Sequence, residues 1–154
     1  MYTSGTTGTP KGIYRSHGGS AVAYNYMMKH IYNINQKDVM FTPSDIGWIV
    51  GHNFITYGPS MRGATSIMYE GKPVGTPNAG VFWRMIEDYK VNAFFIAPTA
   101  VRAIKKDDYN GDLLGQHDLS SVTGIHLAGE RCDPETVNWL TKMFPNTIIN
   151  DNWW

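Results

Sequence analysis

The residues with the clearest chemical signal form a run of glycines and hydroxyl side chains at the start of the chain. The run reads Tyr2-Thr3-Ser4-Gly5-Thr6-Thr7-Gly8-Thr9-Pro10-Lys11-Gly12. Its glycines let the backbone approach a ligand closely, its hydroxyls can donate to phosphate oxygens, and its successive N–H groups can surround an anion. Lys11 adds a compact positive charge. We therefore interpret the run as a phosphate-binding loop. The predicted phosphate-binding residues are Thr3, Ser4, Gly5, Thr6, Thr7, Gly8 and Lys11.

The run differs from the Gly-x-x-x-x-Gly-Lys-Ser/Thr loop of many NTPases and kinases. Four residues separate Gly5 from Pro10, where that loop has its second glycine, and Lys11 is followed by Gly12. Residues 12–15 also have strand-like rather than helical character. Both observations argue against a phosphate-loop NTPase, and the Pro-Lys-Gly ending argues against a flexible linker.

Composition narrows the class of protein further. The 154 residues suit one ordinary domain, and 13 basic residues balance 13 acidic ones. This neutrality argues against a nucleic-acid partner or a polybasic membrane contact. No apolar run approaches the roughly 18 residues that span a bilayer, and no signal-peptide pattern is visible. We therefore expect a soluble protein, of the cytoplasm or the mitochondrial matrix, but the sequence does not identify the compartment.

Helical and strand-like segments alternate along the chain and must position the opening loop. We predict helices at residues 19–32, after Asn78, after Pro98 and from Asp133, where Asp and Pro form a strong helix start. The predicted strands are 39–42, 64–69, 93–97, 122–127 and 147–150, and 109–121 is predicted to be an exposed loop. This alternation favours an α/β fold, a mostly parallel sheet flanked by helices. No strand is expected ahead of the opening loop.

The opening run resembles the Thr-Ser-Gly-Thr-Thr-Gly-x-Pro-Lys-Gly signature of the AMP-forming adenylate-synthetase superfamily. Other segments resemble its short-chain acetate and propionate CoA ligases, and they follow the order found in that family. They are Ser44-Asp45-Ile46-Gly47-Trp48-Ile49-Val50-Gly51-His52, Tyr57-Gly58-Pro59, Tyr69-Glu70-Gly71-Lys72-Pro73, Ala97-Pro98-Thr99-Ala100, Gly129-Glu130-Arg131-Cys132-Asp133 and Asp151-Asn152-Trp153-Trp154. The resemblance implies that residues 1–154 are an incomplete AMP-binding domain of the adenylate-forming fold. The piece is expected to be truncated at both ends and to lack the C-terminal lid domain.

The resemblance also implies a two-step reaction. A short-chain carboxylate attacks the α-phosphate of ATP, which gives an acyl-adenylate and pyrophosphate, and the thiol of CoA then displaces AMP. The implied partners are therefore the small molecules carboxylate, ATP and CoA. Mg²⁺ is expected with ATP, through a protein ligand beyond the chain. No catalytic residue and no metal ligand is assigned within these residues.

The resemblance further assigns three groups of site residues. The ATP and AMP group comprises Gly129, Glu130, Arg131, Asp151, Asn152, Trp153 and Trp154. The acyl-pocket group comprises Trp48, Ile49, Val50, Ala128 and Trp154, and the CoA group comprises Val50 and Ala97. Ordinary packing is an equally good explanation for the CoA group. Ala128 stands where acetate enzymes typically have Val, so propionate is the expected acid and acetate the second choice.

The absent lid would carry the lysine that neutralises the adenylation transition state. Negligible ligase activity is therefore expected from the 154 residues alone. One alternative remains open at this point, which is an inactive truncated isoform or gene fragment with at most weak nucleotide binding.

Overall fold

The structure is a computed structural model that describes residues 1–3 and 7–153. Its centre is a five-stranded, fully parallel sheet with the strand order β4-β3-β5-β6-β7. The strands are β3 (Val39–Phe41), β4 (Thr65–Ile67), β5 (Ala93–Ile96), β6 (Gly124–Leu127) and β7 (Ile148–Asp151). The predicted α/β fold with a mostly parallel sheet is confirmed.

Helices cover both faces of this sheet. They are α1 (His17–His30), α2 (Ile49–Gly51), α3 (Gly58–Met61), α4 (Val81–Tyr89), α5 (Pro98–Asp107) and α6 (Pro134–Met143). Side chains of β5 alternate between the faces, as expected for a strand. Phe94 and Ile96 join the core under α4, α5 and α6, whereas Ala93 and Phe95 join a smaller core under α1. Burial on both faces explains why β5 is a continuous apolar run.

The opening loop is closed by a small hairpin that the sequence did not predict. Strands β1 (Tyr2–Thr3) and β2 (Lys11–Gly12) pair in antiparallel fashion, with Thr3 opposite Lys11. A strand therefore does precede the loop, and the strand-like character of residues 12–15 is confined to Gly12. Ser4, Gly5, Thr6 and Trp154 lie outside the described residues.

A helical stretch between β3 and β4 was also missed. It consists of α2, a π-helical segment (His52–Tyr57) and α3. The stretch contains glycines and a proline, which weaken any helix prediction. Gly51 is nevertheless required there, because a Cβ at that position would collide with the backbone of Ile46. The tight approach of helix and loop, rather than helix propensity, determines this residue.

One other prediction needs correction, because the segment 109–121 contains a short 3-10 helix (Leu114–Gln116) within its loop. The predicted strand at 147–150 corresponds to β7, which pairs with β6. The predicted start of α6 is confirmed, since the Asp133 side chain accepts a hydrogen bond from Thr136 N at 2.9 Å.

Candidate functional site

The strand order creates a crevice at the carboxyl ends of the two neighbouring strands β3 and β5. The chain leaves β3 towards β4 on one side, whereas it leaves the neighbouring β5 towards β6 on the other side. Loops that diverge in this way open a gap beyond the carboxyl ends of the two strands, and open α/β sheets bind ligands at such switch points. The topology therefore indicates where a ligand would bind before any motif is considered.

A cavity of about 680 Å³ lies at this point, and we call it the switch-point cavity. Its wall on the β3 side includes Pro43, Ser44 and the three predicted acyl-pocket residues that follow them. Its other wall comes from the ends of β5 and β6. The predicted site residues lining it are Thr3, Trp48, Ile49, Val50, Ala97, Ala128, Gly129 and Glu130. The cavity thus brings together residues from all four predicted groups.

A second cavity of about 530 Å³ adjoins the first at Gly129 and Glu130, and we call it the edge cavity. It is lined by Gly129, Glu130, Arg131, Asp151, Asn152 and Trp153. These are the predicted ATP and AMP residues other than Trp154, which lies outside the described residues. Within the described residues, Trp153 is 95% exposed.

The loop that follows β6 has a conformation that depends on glycine. Gly129 has a φ of +107°, a region that other residues rarely adopt. A Cβ built there would have no heavy atom within 4 Å. The backbone of this loop therefore faces open space, as a close approach to a flat ring requires.

Three contacts hold the same loop from different sides. Arg102 of α5 donates from Nη2 to Glu130 Oε1 at 2.6 Å and from Nη1 to Asp133 Oδ2 at 3.3 Å. Cys132 N donates to Asp151 Oδ2 at 3.2 Å, which joins the loop to the end of β7. Glu130, and then Asp133, raises the pKa of Arg102, so its guanidinium stays charged. The hydrogen bond from Thr136 N is the main cause of the lowered pKa of Asp133.

The opening loop meets the switch-point cavity only in part. Thr3 lines it, whereas Thr7, Gly8 and Lys11 are exposed. Gly8 has a φ of +82°, which fits the turn expected of a glycine in this loop. The hairpin pairing places Lys11 opposite Thr3, so the predicted cation lies on the strand next to a cavity-lining residue.

A buried imidazole lies beneath this region on β6. His126 is 2% exposed, and its burial lowers the pKa to about 4. Its Nδ1 lies 3.2 Å from Asn150 Nδ2, and its ring contacts Tyr32 edge-on at 4.7 Å. At neutral pH His126 is uncharged, and its ring packs against Tyr32 on the face of the sheet that α1 covers.

The described residues contain neither a metal-binding cluster nor a membrane-spanning helix. Within residues 1–3 and 7–153, no three His, Cys, Asp or Glu side chains cluster closely enough to hold a metal ion. None of the helices described is long and apolar enough to cross a membrane.

The sequence did not single out Arg102 as part of the site. Its contacts with Glu130 and Asp133 join residues 28 and 31 positions apart, and no local pattern reports such pairs. Thr99, Pro43 and Ser44 also line the switch-point cavity and were not predicted. Their position at the carboxyl ends of neighbouring parallel strands is the signal that could have found them.

Comparison with known proteins agrees with this geometry. The family model "AMP-binding enzyme" matches residues 1–154, so the chain belongs to that family. It is 46% identical to propionate–CoA ligase of Salmonella typhimurium over 154 residues, which is 100% of this chain and 24% of that protein. It is 47% identical to mitochondrial acyl-CoA synthetase short-chain family member 3 of Mus musculus, and 50% identical to mitochondrial member B of Dictyostelium discoideum. Both of these matches cover 100% of this chain and 22% of the relative. The chain thus spans less than a quarter of the length of these relatives.

Proposed function

We propose that this chain is a section of an AMP-forming short-chain acyl-CoA synthetase, in which it binds ATP and a small carboxylate. In the proposed reaction, a carboxylate oxygen bonds to the α-phosphorus of ATP while the bond to the pyrophosphate leaving group breaks. The CoA thiol then bonds to the acyl carbon, and AMP leaves. The observation that carries the proposal is that Gly129 and Glu130 line both the switch-point cavity and the edge cavity.

Each reactant is assigned to one part of these cavities in the proposal. The nucleotide base is assigned to the edge cavity beside Gly129 and Trp153, because an open glycine backbone and an exposed indole suit a flat ring. The phosphates are assigned to Thr3, Lys11 and the rest of the opening loop. Mg²⁺ is proposed to accompany ATP, since this ion is commonly held largely by substrate phosphates and water.

The acyl group is assigned to the switch-point cavity between Trp48 and Ala128. Ala128 is 4% exposed, so its methyl group forms part of a packed wall. Replacing it with Val would add the volume of about two methyl groups at that wall. Propionate is the proposed acid, with acetate as the smaller alternative, and CoA is proposed to reach the same cavity past Val50 and Ala97.

The test is acid-dependent exchange of pyrophosphate into ATP by the full-length protein, because exchange reports the adenylation step without CoA. We expect exchange with propionate exceeding that with acetate. Ala128→Val should lower the propionate-to-acetate ratio of kcat/KM by about tenfold or more, since one methylene is worth about 10- to 200-fold in an apolar pocket.

Ala97→Val is the matched control, because it adds the same atoms to an exposed position of the same cavity. It should leave the acid ratio of the exchange reaction unchanged and slow only the CoA-dependent step. Exchange that does not require a carboxylate, or an acid ratio that responds equally to both substitutions, contradicts the proposal.

A further inference from the structure

Arg102 lies on α5, where its guanidinium contacts the loop that follows β6 at two points. Its two terminal nitrogens bind different carboxylates, Glu130 within the loop that joins β6 to α6 and Asp133 at the end of that loop. Arginine suits this role because its planar, permanently charged group offers donors in a fixed fork. The contact therefore ties helix α5 to the middle and to the C-terminal end of the segment 128–133, which joins β6 to α6.

Asp133 shares its two oxygens between two tasks. Oδ1 accepts from Thr136 N and caps α6, while Oδ2 accepts from Arg102. The two contacts of the Arg102 guanidinium, which we call the Arg102 fork, therefore link α5 both to Glu130 and, through Asp133, to the first turn of α6. Between these two anchors lies Arg131, which lines the edge cavity together with Gly129 and Glu130.

The fork also changes the electrostatics of the edge cavity. Glu130 and Asp151 both line that cavity, and unpaired carboxylates there would repel an anionic nucleotide. Arg102 pairs with Glu130 at 2.6 Å and so offsets part of the negative charge of this lining residue.

We infer that Arg102 is a positioning residue for nucleotide binding, which sets the conformation of Gly129–Arg131 and offsets part of the charge of Glu130. This inference rests on the proposed function. It also assigns Glu130 a structural contact, so that the nucleotide is recognised by the backbone of the loop and not by the Glu130 carboxylate.

The chain provides a matched control one turn further along α5. Lys105 pairs with Glu135 at 3.0 Å and also contacts Thr136, so it links α5 to α6 without touching Gly129–Arg131. Arg102→Met and Lys105→Met each remove one cation from the same pair of helices. A role limited to helix docking predicts equal effects, whereas the positioning role predicts an effect at Arg102 alone.

The experiment measures AMP affinity by titration calorimetry and amide hydrogen exchange of Gly129–Arg131 without nucleotide. We expect Arg102→Met to weaken AMP binding about tenfold and to speed the exchange of these amides about tenfold. Arg102→Lys should restore part of the affinity, because it keeps the charge but not the fork. Lys105→Met should change neither quantity.

Glu130→Gln removes the charge that Arg102 contacts at 2.6 Å and should also speed hydrogen exchange at the amides of Gly129–Arg131. This second variant keeps the test valid if Arg102→Met does not fold. Unchanged affinity and exchange in Arg102→Met or in Glu130→Gln overturn the inference alone, as does an equal loss in Lys105→Met. A wild-type protein that does not bind AMP overturns the proposed function together with the inference.

Discussion

Gly129→Ala is the perturbation that separates backbone geometry from side-chain contact at the proposed nucleotide site. The φ of +107° lies outside the regions that alanine adopts readily, and holding a residue in such a region costs about 1–3 kcal/mol. Because no heavy atom lies within 4 Å of the added Cβ, no steric clash adds to this cost. The expected loss in the free energy of unfolding is therefore about 1–3 kcal/mol.

In a chain of this size, 1 kcal/mol corresponds to a change in Tm of about 2–4 °C. Gly129→Ala should then lower Tm by roughly 2–12 °C in a thermal denaturation experiment. It should also weaken AMP binding by at least about tenfold, since the new methyl group projects into the space assigned to the nucleotide. A tenfold change corresponds to about 1.4 kcal/mol of binding free energy.

Gly75→Ala is the control for strain without a site. Gly75 has a φ of +94° and likewise has nothing within 4 Å of a Cβ, but it lies in the loop between β4 and α4, outside the residues lining either cavity. It should lower Tm by a similar amount and leave AMP affinity unchanged. The reasoning is refuted if Gly129→Ala keeps full AMP affinity, or if both variants lose affinity equally.

Three further predictions concern stability. The folded-state pKa of His126 is about 4 against an ordinary 6.5, so the unfolded state binds more protons between these values and stability falls as pH drops from about 7 to 4, by about 3 kcal/mol. Urea denaturation across this range should show a flatter dependence for His126→Gln, and an identical slope contradicts the assignment. Asp133→Ala removes the cap on Thr136 N and should cost about 1–2 kcal/mol in urea denaturation, whereas no loss would show that the cap contributes nothing. Ile86→Ala empties a fully buried position and should cost about 2–5 kcal/mol by the same measurement, and a loss below 1 kcal/mol would contradict its place in the core.

The strands of the parallel sheet could be predicted because burial on both faces leaves a readable mark. The run Ala93-Phe94-Phe95-Ile96 is apolar throughout, and each of its residues is buried. The start of α6 was equally readable, since the Asp133 side chain accepts from a backbone N–H of the first turn and Pro134 has no N–H that needs a partner.

The helical stretch from Ile49 to Met61 was missed because its determinants are tertiary. Position 51 requires glycine, although it lies in a helix, because the backbone of Ile46 passes too close for any side chain. Helix propensity carries no information about such a tertiary contact. The sequence predicted only those site residues that belong to local motifs. The Arg102 fork spans 28 residues in sequence, so it became visible only once α5 and the loop after β6 were placed side by side.

The most direct measurement is a titration of the isotopically labelled chain with AMP, followed by amide NMR. Binding at the two joined cavities predicts saturable shifts at Gly129–Arg131 and at Asp151–Trp153, with little change at Gly75. Added propionate should then shift residues near Ala128 and Trp48. Shifts concentrated at other surfaces, or no saturable shift at these residues, would contradict the account.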